Sequence, residues 1–299
     1  MEQENIYQQR INLVTNHIRS CLLEDLSLKA LADVAGFSPF HFHRIFKSIT
    51  GETVNALTTR LRLERAVMLL KTTPDMPITE AALDCGFNSV STFSRAFKKQ
   101  YGRTARSWDR QSQLKNHEKV KVEGDIPTYT NDMLRQMDQQ GQFTVQIRSL
   151  PTQRLAYIRV INSYAPDRLV NAYETLTAWY QAKGGNHSNT TLIGMSQDDP
   201  DVTPLELCRY DICLTIPADW QGTEQVSTRP FPACRIASIH CRGDIFLVDK
   251  AWQYLFRYWL PHSRYQPDNL PALEIYKRHP AEIGWETFDL ECAIPITNL

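Results

Sequence analysis

Residues 28–47 read LKALADVAGFSPFHFHRIFK, and residues 79–98 read TEAALDCGFNSVSTFSRAFK. The two segments share an alanine-rich run, a Gly-Phe pair and an Arg-x-Phe-Lys ending, at an offset of 50 residues that becomes 51. Ser27 and Ser38 are typical helix N-caps, and Gly36 is typical of a helix end. The first segment therefore predicts a helix, a glycine turn and a second helix, and the repeat predicts this unit twice.

In the second unit the same signals predict Thr79 as the first N-cap, Gly86 as the end of that helix and Asn88 as the next N-cap. Between the units, the segment from Val54 to Lys71 contains no Gly or Pro. This segment predicts one helix about 27 Å long. Such a helix would hold the two units roughly one DNA turn, about 34 Å, apart.

The second helix of each unit has an apolar stripe and a polar outer face. The stripes recur at spacings of three and four residues and comprise Phe42, Ile45, Phe46 and Ile49, then Phe93, Ala96, Phe97 and Tyr101. The outer faces comprise Phe40, His43, Arg44 and Lys47 in the first unit, and Ser91, Ser94, Arg95 and Lys98 in the second.

The residues of these outer faces are candidate DNA contacts. Arg can contact a guanine edge with two hydrogen bonds, Ser and His can bond to bases, and Lys can neutralise a phosphate. A solvated basic face is the alternative for a single helix, but two matched copies favour DNA binding. We expect the first unit to supply more of the sequence discrimination and the second unit more of the phosphate contacts.

The composition fits two globular domains. The chain has 299 residues, of which 42% are hydrophobic and 22% charged, and this excludes the disordered and fibrous classes. The net charge is zero, but residues 1–115 carry 16 Lys and Arg against 11 Asp and Glu, whereas residues 116–299 carry 17 against 22. Only the first part suits a polyanion.

Other features bear on location and cofactors. No apolar run approaches the roughly 20 residues of a membrane span, and the first residues, MEQENIYQQR, do not resemble a secretory signal, so we expect a cytoplasmic protein that does not bind membranes. Seven cysteines without a CxxC pair indicate reduced, mostly buried thiols. We therefore expect no metal and no cofactor.

A different repeat occupies the carboxy-terminal half. Residues 151–158 match residues 232–239 at an offset of 81, and residues 210–217 match residues 288–295 at an offset of 78. With helical patterns at 167–183 and 244–260, each repeat is predicted to be a strand, helix, strand unit. Two such units predict an α+β domain with a cleft at their junction.

The polar segment 111–141 separates the two repeat systems and predicts a partly helical linker. It leaves residues 1–110 and 142–299 as the two predicted domains.

Residues 8–110 resemble the DNA-binding domain of AraC-type (AraC/XylS) transcription regulators. The resemblance rests on Leu28-x-x-Leu31-Ala32-x-x-Ala35-Gly36-Phe37-Ser38, Arg44-x-Phe46-Lys47 and Gly51, and on their recurrence from Ala82 to Lys98. The family usually has prolines in the final loop, where residues 101–108 read YGRTARSW. The resemblance implies an all-α domain with tandem helix-turn-helix motifs that binds double-stranded promoter DNA and works with RNA polymerase.

Residues from about 141 to 297 resemble the GyrI-like effector-binding domain that AraC-type proteins of the Rob kind carry. The motifs are CRYD at 208–211, LEIY at 273–276 and the closing pair Phe288-Asp289. The resemblance implies a pseudo-twofold domain that binds small-molecule effectors, often lipophilic cations, in a central cleft. It also implies that Glu274 supplies the counter-charge to the ligand.

The strand Ala272–Tyr276 gives this expectation a physical form. Leu273 and Ile275 face one side, so Glu274 and Tyr276 face the other. A carboxylate walled by aromatic rings attracts a cation by charge and by cation–π contact. The other rings predicted for the wall are Tyr157, Tyr164, Trp179 and Trp252. The alternative is an exposed Glu274 with the aromatic rings in the core.

Asp211 and Asp289 recur in both repeats, and we expect them to have structural roles.

The leading hypothesis is a transcription regulator, not an enzyme, whose activity changes when a small molecule enters the carboxy-terminal cleft. Two alternatives stay open. Some GyrI-like domains resemble hydrolases in which a glutamate at the Glu274 position, helped by a tyrosine, activates water. The carboxy-terminal domain can also be one that binds another protein.

Overall fold

The computed structural model describes residues 2–24, 26–73, 75–108, 110 and 129–298. In the amino-terminal half the helices are α1 (Glu2–Ser20), α2 (Leu28–Ala35), α3 (Pro39–Thr50), α4 (Val54–Thr72), α5 (Ile78–Asp84) and α6 (Val90–Tyr101). They form the predicted all-α domain, with α2–α3 and α5–α6 as its two helix-turn-helix units. No described helix combines the length and the apolar character that a membrane span needs.

The helix ends of the first unit follow the predicted capping chemistry. Ser27 precedes α2, and its side chain accepts a hydrogen bond from the Ala30 amide at 3.2 Å. Gly36 ends α2 with φ at +65°, a conformation that strains any residue with a side chain. Ser38 caps α3 directly before Pro39. The predicted turn between the two helices is confirmed.

Two predicted caps of the second unit are wrong. Helix α5 begins directly after Pro77, and Thr79 lies inside its first turn. The proline ring fixes φ near the value that precedes a helix, so backbone rigidity replaces a capping hydroxyl here. Ser89, not Asn88, caps α6 by accepting a hydrogen bond from the Thr92 amide at 3.2 Å.

Helix α4 joins two separate apolar cores. Its 19 residues make it about 28 Å long, close to the predicted length. Leu57 and Leu61 enter a core with α1, α2 and α3, and Val67 and Leu70 enter a core with α5 and α6. The first core also contains side chains of α1, a helix that caps and repeats did not predict: Ile11, Val14 and Ile18. One rigid helix therefore carries both units.

The carboxy-terminal half is built on one antiparallel sheet. Its strands are β1 (Gln146–Leu150), β2 (Gln153–Ile161), β3 (Leu192–Ser196), β4 (Arg209–Ile216), β5 (Ser227–Phe231), β6 (Cys234–Gly243), β7 (Tyr265–Pro267), β8 (Ala272–Tyr276) and β9 (Phe288–Asn298). Its helices are α7 (Asn131–Gln139), α8 (Arg168–Ala182), α9 (Ile245–Tyr254) and α10 (Pro280–Ile283). The spatial order is β1-β6-β9-β8-β3-β4-β2-β5, and β7 pairs with β9.

This strand order shows the predicted pseudo-twofold symmetry. Outward from the central β3–β8 pair, the strands β4, β2 and β5 on one side correspond to β9, β6 and β1 on the other. Each repeat is a strand, strand, helix, strand, strand unit, so the predicted strand, helix, strand unit lacked the leading strand and the strand after the helix. The outermost strands are exchanged, because β1 pairs with β6 of the second repeat and β5 pairs with β2 of the first.

The predicted helix at 244–260 stops being α-helical at Tyr254 and continues as a wide turn over Leu255–Trp259 and a tight one over Leu260–His262. Pro261 lies in the last turn, where a regular helix cannot continue. All seven cysteines are free thiols, and most are buried, as predicted.

Helix α7 lies in the predicted linker and packs Leu134 and Met137 into the core of the sheet domain. Residues 111–128, the larger part of that linker, lie outside the described residues. The domain boundaries stay a prediction.

The two faces of the sheet have different neighbours. Helices α8 and α9 pack on one face. Cross-strand pairing of Gly194 with Glu274 places both on this face, and the Trp252 side chain of α9 reaches Glu274 there. The other face carries Arg159 and Asp211, which pair across β2 and β4 and turn toward α1. The amino-terminal domain therefore packs against the face opposite α8 and α9.

A cluster of buried charges, the Asp198 cluster, joins α4 to the β3–β4 segment and comprises Arg60, Glu64, Asp198, Thr203 and Arg209. Arg60 donates to Glu64 at 2.6 Å and to Asp198 at 2.8 Å. Arg209 donates to the same Asp198 carboxylate at 2.6 and 2.8 Å, and Thr203 donates to Glu64. Burial disfavours the charged form of Asp198, but Arg209 and Arg60 hold its pKa well below the ordinary value. Arg19 of α1 lies 3.9 Å from the same carboxylate, so an ionised Asp198 joins arginines of both domains.

A second group, the Asp211 cluster, joins α1 to the sheet and comprises Thr15, Asn16, Arg159, Asp211 and Arg229. Arg159 holds Asp211 with hydrogen bonds of 2.6 and 2.7 Å and donates to Thr15 at 2.6 Å and to Asn16 at 2.8 Å. Arg229 donates to both Asn16 and Asp211 at 3.0 Å. The structural role predicted for Asp211 is confirmed, and it extends across the domain boundary.

Asp198→Ala should lower the free energy of unfolding by about 3–5 kcal/mol, because it leaves Arg60 and Arg209 buried without their shared counter-charge. Urea titration of the full chain measures the loss. The matched control is Asp219→Ala, at an exposed carboxylate, which should change stability by less than about 0.5 kcal/mol. Equal stability of the two variants would show that the bridge contributes nothing.

Stability should also fall with rising pH through Glu64. Burial raises its pKa from an ordinary 4.5 to about 7, although Arg60 acts in the opposite direction. The folded chain therefore binds this proton more tightly than the unfolded chain, so the contribution is full below 4.5 and is lost as pH rises through about 7. Unfolding titrations between about pH 5 and about pH 8 should show a smaller loss in Glu64→Gln than in the wild type. Parallel pH profiles would refute this assignment.

Candidate nucleic-acid interface and effector cleft

The outer face of α3 is open to solvent, and its inner face is fixed in the first core. Phe42 and Phe46 are fully buried, with ring centres 5.6 Å apart. Phe40 is 69% exposed, and the Arg44 guanidinium lies 5.9 Å from the centre of its ring. The other residues predicted on this face, His43 and Lys47, are also exposed. The face combines two cationic side chains with one apolar ring.

The outer face of α6 has the same orientation relative to its core but smaller side chains. Phe93 and Phe97 are fully buried. The predicted outer residues Ser91, Arg95 and Lys98 are exposed, and Ser94 is half-buried. Arg95 donates weakly to the Ser91 carbonyl at 3.4 Å. This face therefore presents positive charge with fewer bulky groups than α3.

The loop that departs from the family pattern packs back onto α6. Ala105 and Trp108 are buried in the second core, and the Trp108 ring centre lies 5.9 Å from that of Phe97. The absence of prolines in this loop leaves the packing behind the outer face intact.

In the sheet domain, Glu274 on β8 lies opposite Gly194 of β3, at the junction of the two repeats. Its carboxylate accepts hydrogen bonds from the Tyr210 hydroxyl at 2.5 Å and from the Trp252 indole at 3.4 Å. Burial raises the pKa of Glu274, and the two donors offset part of that rise. Tyr276 lies within hydrogen-bonding reach of Tyr210. These side chains meet where the cleft is predicted, and we call them the cleft group: Tyr210, Trp252, Glu274 and Tyr276.

A glycine makes room for the Tyr210 hydroxyl. A Cβ atom on Gly194 would collide with that oxygen, so any larger residue would push the phenol off its position. The contact of Tyr210 with Glu274 therefore depends on a residue without a side chain on the neighbouring strand.

Glu274 differs from the buried carboxylates that the structure describes in the sheet domain. Each of those faces basic side chains: Asp198, Asp211, Asp289 and Glu291. Asp289, for example, lies 2.8 Å from His240, which confirms its predicted structural role. The donors to Glu274 are instead a phenol and an indole, and no ion pair to it is found among the described residues. Its charge is left for another group to balance.

The structure brings Trp252 and Tyr276 to Glu274, but not Tyr157. Cross-strand pairing places Tyr157 with Cys213 and Ile275 on the opposite face of the sheet, so the prediction that its ring lines the cleft is wrong. Its hydroxyl instead accepts a hydrogen bond from Asn16 of α1 at 3.0 Å. A shift of one residue along a strand reverses the face, and the sequence pattern of β2, apolar on both sides, did not fix that choice.

The two remaining predicted rings lie outside the cleft group. Trp179 packs edge to face on Trp220 with ring centres 5.9 Å apart, and Lys183 lies over both rings. Tyr164 is 49% exposed in the segment before α8. A role for either ring in ligand binding stays a prediction.

Tyr210 is the cleft residue that the sequence analysis missed. It directly precedes Asp211, which recurs in both repeats. Since neighbouring strand residues face opposite sides, a structural Asp211 on one face places Tyr210 on the other. This alternation along the strand could have identified Tyr210 from the sequence.

Two family comparisons match the two halves of the chain. The helix-turn-helix domain family matches residues 31–111, and the family described as GyrI-like small molecule binding domain matches residues 143–297, about half of the chain. The matches follow each other in the same order as the helical domain and the sheet domain.

Relatives are similar to the amino-terminal half. The regulatory protein SoxS of Escherichia coli is 33% identical over 104 residues, which are 35% of this chain and 92% of SoxS. The transcriptional regulator Rob of Salmonella typhimurium is 34% identical over 113 residues, which are 38% of this chain and 37% of Rob. This match therefore spans little more than a third of Rob.

The crystal structure of the EcmrR C-terminal domain is 14% identical, with a TM-score of 0.42, and covers 52% of this chain and 99% of that domain. The family matches and the two regulators carry the assignment. The chain belongs to the AraC-type family of DNA-binding transcription regulators, in the Rob-like group in which a GyrI-like domain follows two helix-turn-helix motifs.

Proposed function

We propose that this chain binds promoter DNA through the outer faces of α3 and α6, and that a lipophilic cation bound at Glu274 changes its effect on transcription. The observation that carries the proposal is the half-buried Glu274 carboxylate with neutral partners only, in a domain whose other buried carboxylates face basic groups. Removing a carboxylate from water without a counter-charge is costly, so the site favours a cationic ligand.

Aromatic surface beside Glu274 favours a cation that is also lipophilic. Trp252 donates to Glu274 and stacks on Phe256, with ring centres 5.7 Å apart and an angle of 21° between the planes. Tyr276 adds a third ring on the same face. Ring faces attract cations whose charge is spread over apolar groups, whereas a strongly hydrated ion loses more water than it regains in contacts.

The proposed DNA contacts are the exposed outer residues of the two units, and RNA polymerase is the proposed macromolecular partner at the promoter. Arg44 and Phe40 in the first unit offer hydrogen bonds and an apolar surface to base edges, whereas the second unit offers two serines beside Arg95 and Lys98. The first unit is expected to discriminate sequence more strongly than the second.

Arg44→Ala and Arg95→Ala should each weaken specific DNA binding by about 1–3 kcal/mol and relax the base preference at different positions of the site. Fluorescence anisotropy on a duplex selected from random sequence by the full chain measures both effects. Arg242→Ala, which removes a 72%-exposed charge from the sheet domain, is the matched control. Equal losses on specific and random duplexes would contradict base reading by these arginines.

Glu274→Gln should weaken binding of tetraphenylphosphonium at least about tenfold, because the amide keeps the shape but not the charge. Isothermal titration calorimetry measures this change. Neutral triphenylphosphine oxide should bind both forms equally, and Glu282→Gln, at an exposed carboxylate, should leave cation binding unchanged. Equal cation affinity of wild type and Glu274→Gln would rule out Glu274 as the counter-charge.

The Tyr210–Glu274 hydrogen bond also fits the hydrolase alternative, since a carboxylate of raised pKa beside a phenol can activate water. Incubation with activated esters tests this reading, and turnover that Glu274→Gln abolishes would establish it. If neither phosphorus compound binds and no ester is hydrolysed, the remaining alternative is a carboxy-terminal domain that binds another protein.

A further inference from the structure

Neighbouring residues of β4 contact the two functional halves of the molecule. Tyr210 faces the cleft and donates to Glu274. Arg209 and Asp211, on either side of it, face the amino-terminal domain and belong to the Asp198 and Asp211 clusters. The alternation of a β-strand produces this arrangement, so a shift of the strand at Tyr210 acts on both clusters.

We propose that β4 transmits occupancy of the cleft to the DNA-binding domain. A cation that binds the Glu274 carboxylate displaces the Tyr210 hydroxyl, and β4 shifts. Arg209 is linked to α4 through Asp198, and Asp211 is linked to α1 through Arg159 and Arg229, so the shift rearranges both clusters. This inference rests on the proposed function, in that it assigns a route of regulation to the same cleft.

On the cleft side, Tyr210 has little freedom to adjust locally. Its hydroxyl lies over Gly194, and it contacts both Glu274 and Tyr276. A ligand group that binds Glu274 competes for the acceptor that holds this hydroxyl. The phenol must then leave the space over Gly194, and in the proposed route its backbone in β4 moves with it.

On the interface side, the contacts are buried and charged, and such contacts tolerate only a few arrangements. Arg60, Asp198 and Arg209 are each at most 5% exposed. Asp198 accepts from the Arg209 side chain and also from the Arg209 backbone amide at 2.8 Å, so the carboxylate is tied to the strand itself. A movement of β4 must therefore either carry Arg60 and α4 along or break a buried ion pair, which costs several kcal/mol.

The anchored helices are those that position both recognition helices. Helix α4 carries both apolar cores, and α1 belongs to the first. The segment between β3 and β4 adds contacts to the second unit, because Val202 is buried in its core and Asp201 lies 3.6 Å from Lys71. A change at this interface reaches the relative placement of α3 and α6, on which simultaneous binding to two major-groove segments depends.

The second repeat has no corresponding link between the cleft group and the amino-terminal domain among the described residues. Phe288 occupies the position of Tyr210 and has no hydroxyl, and Asp289 occupies that of Asp211. Asp289 pairs with His240 and Arg242, whose side chains are 55% and 72% exposed and make no cross-domain bridge within the described residues. The symmetry of the domain is thus broken where the first repeat meets the DNA-binding domain.

The test is a thermodynamic cycle on the full chain. DNA affinity is measured by anisotropy with and without saturating tetraphenylphosphonium, on the duplex selected by the chain. In the wild type, the cation should change DNA affinity by roughly 5- to 150-fold. In Arg60→Met/Glu64→Leu, which replaces the charges of α4 by apolar groups of similar size, and in the milder Asn16→Ala, the change should fall below about twofold while cation affinity is kept. Asp219→Asn is the matched control and should keep the full coupling.

Gly194→Ala tests the route without a ligand. The added methyl group expels the Tyr210 hydroxyl, so this variant should shift DNA affinity in the direction in which the cation shifts the wild type, and Arg60→Met/Glu64→Leu should cancel the shift. Circular dichroism and the unfolding midpoint check that each variant is folded.

The outcomes separate the two proposals. Failure of the cation to bind removes the proposed function, but the Gly194→Ala arm still tests the route. Cation binding with coupling that survives in both interface variants overturns the route and leaves the proposed function intact. If Gly194→Ala does not change DNA affinity, the route through Tyr210 is likewise refuted.

Discussion

A single buried carboxylate, Asp198, lies between an arginine of each domain, and the geometry of the whole chain depends on its neutralisation. An isolated charge at this depth would cost more free energy than a domain of this size has to spare. Arg60 and Arg209 together supply the counter-charge. A buried ion pair of this kind adds little net stability compared with an apolar contact, but it tolerates no other register between its elements. The bridge consequently specifies how α4 lies against the sheet.

The helical half followed closely from local rules. Caps, glycine stops and three-four spacing predicted α2, α3 and α4 and both outer faces, because each of these signals acts within a few residues. The two cap errors have different local origins. Asn88 and Ser89 are adjacent polar residues that can each cap a helix, and Ser89 does so, whereas α5 begins after Pro77 without a side-chain cap. Helix α1 lacked such N-cap and glycine signals, and its position is fixed by the apolar core that it completes.

The sheet half was predictable as a repeat, and its site only in part. The internal duplication gave the symmetry, and Glu274, Trp252 and Tyr276 meet as predicted. The face that Tyr157 occupies depends on register with strands far away in sequence, which short apolar patterns do not encode. Asp211 is held by Arg159 and Arg229, and both arginines also donate to Asn16 of α1. The repeat by itself does not encode this contact with another domain.

The exchange of the outer strands affects how the sheet domain folds. The leading strand of each repeat pairs with a strand of the other repeat, β1 with β6 and β5 with β2. Neither repeat therefore satisfies its backbone hydrogen bonds alone. The pairing of β1 with β6 joins residues roughly 90 positions apart, so it is a long-range contact that forms only when both repeats are present. Removal of either repeat would therefore leave an outer strand of the other without its hydrogen-bonded partner.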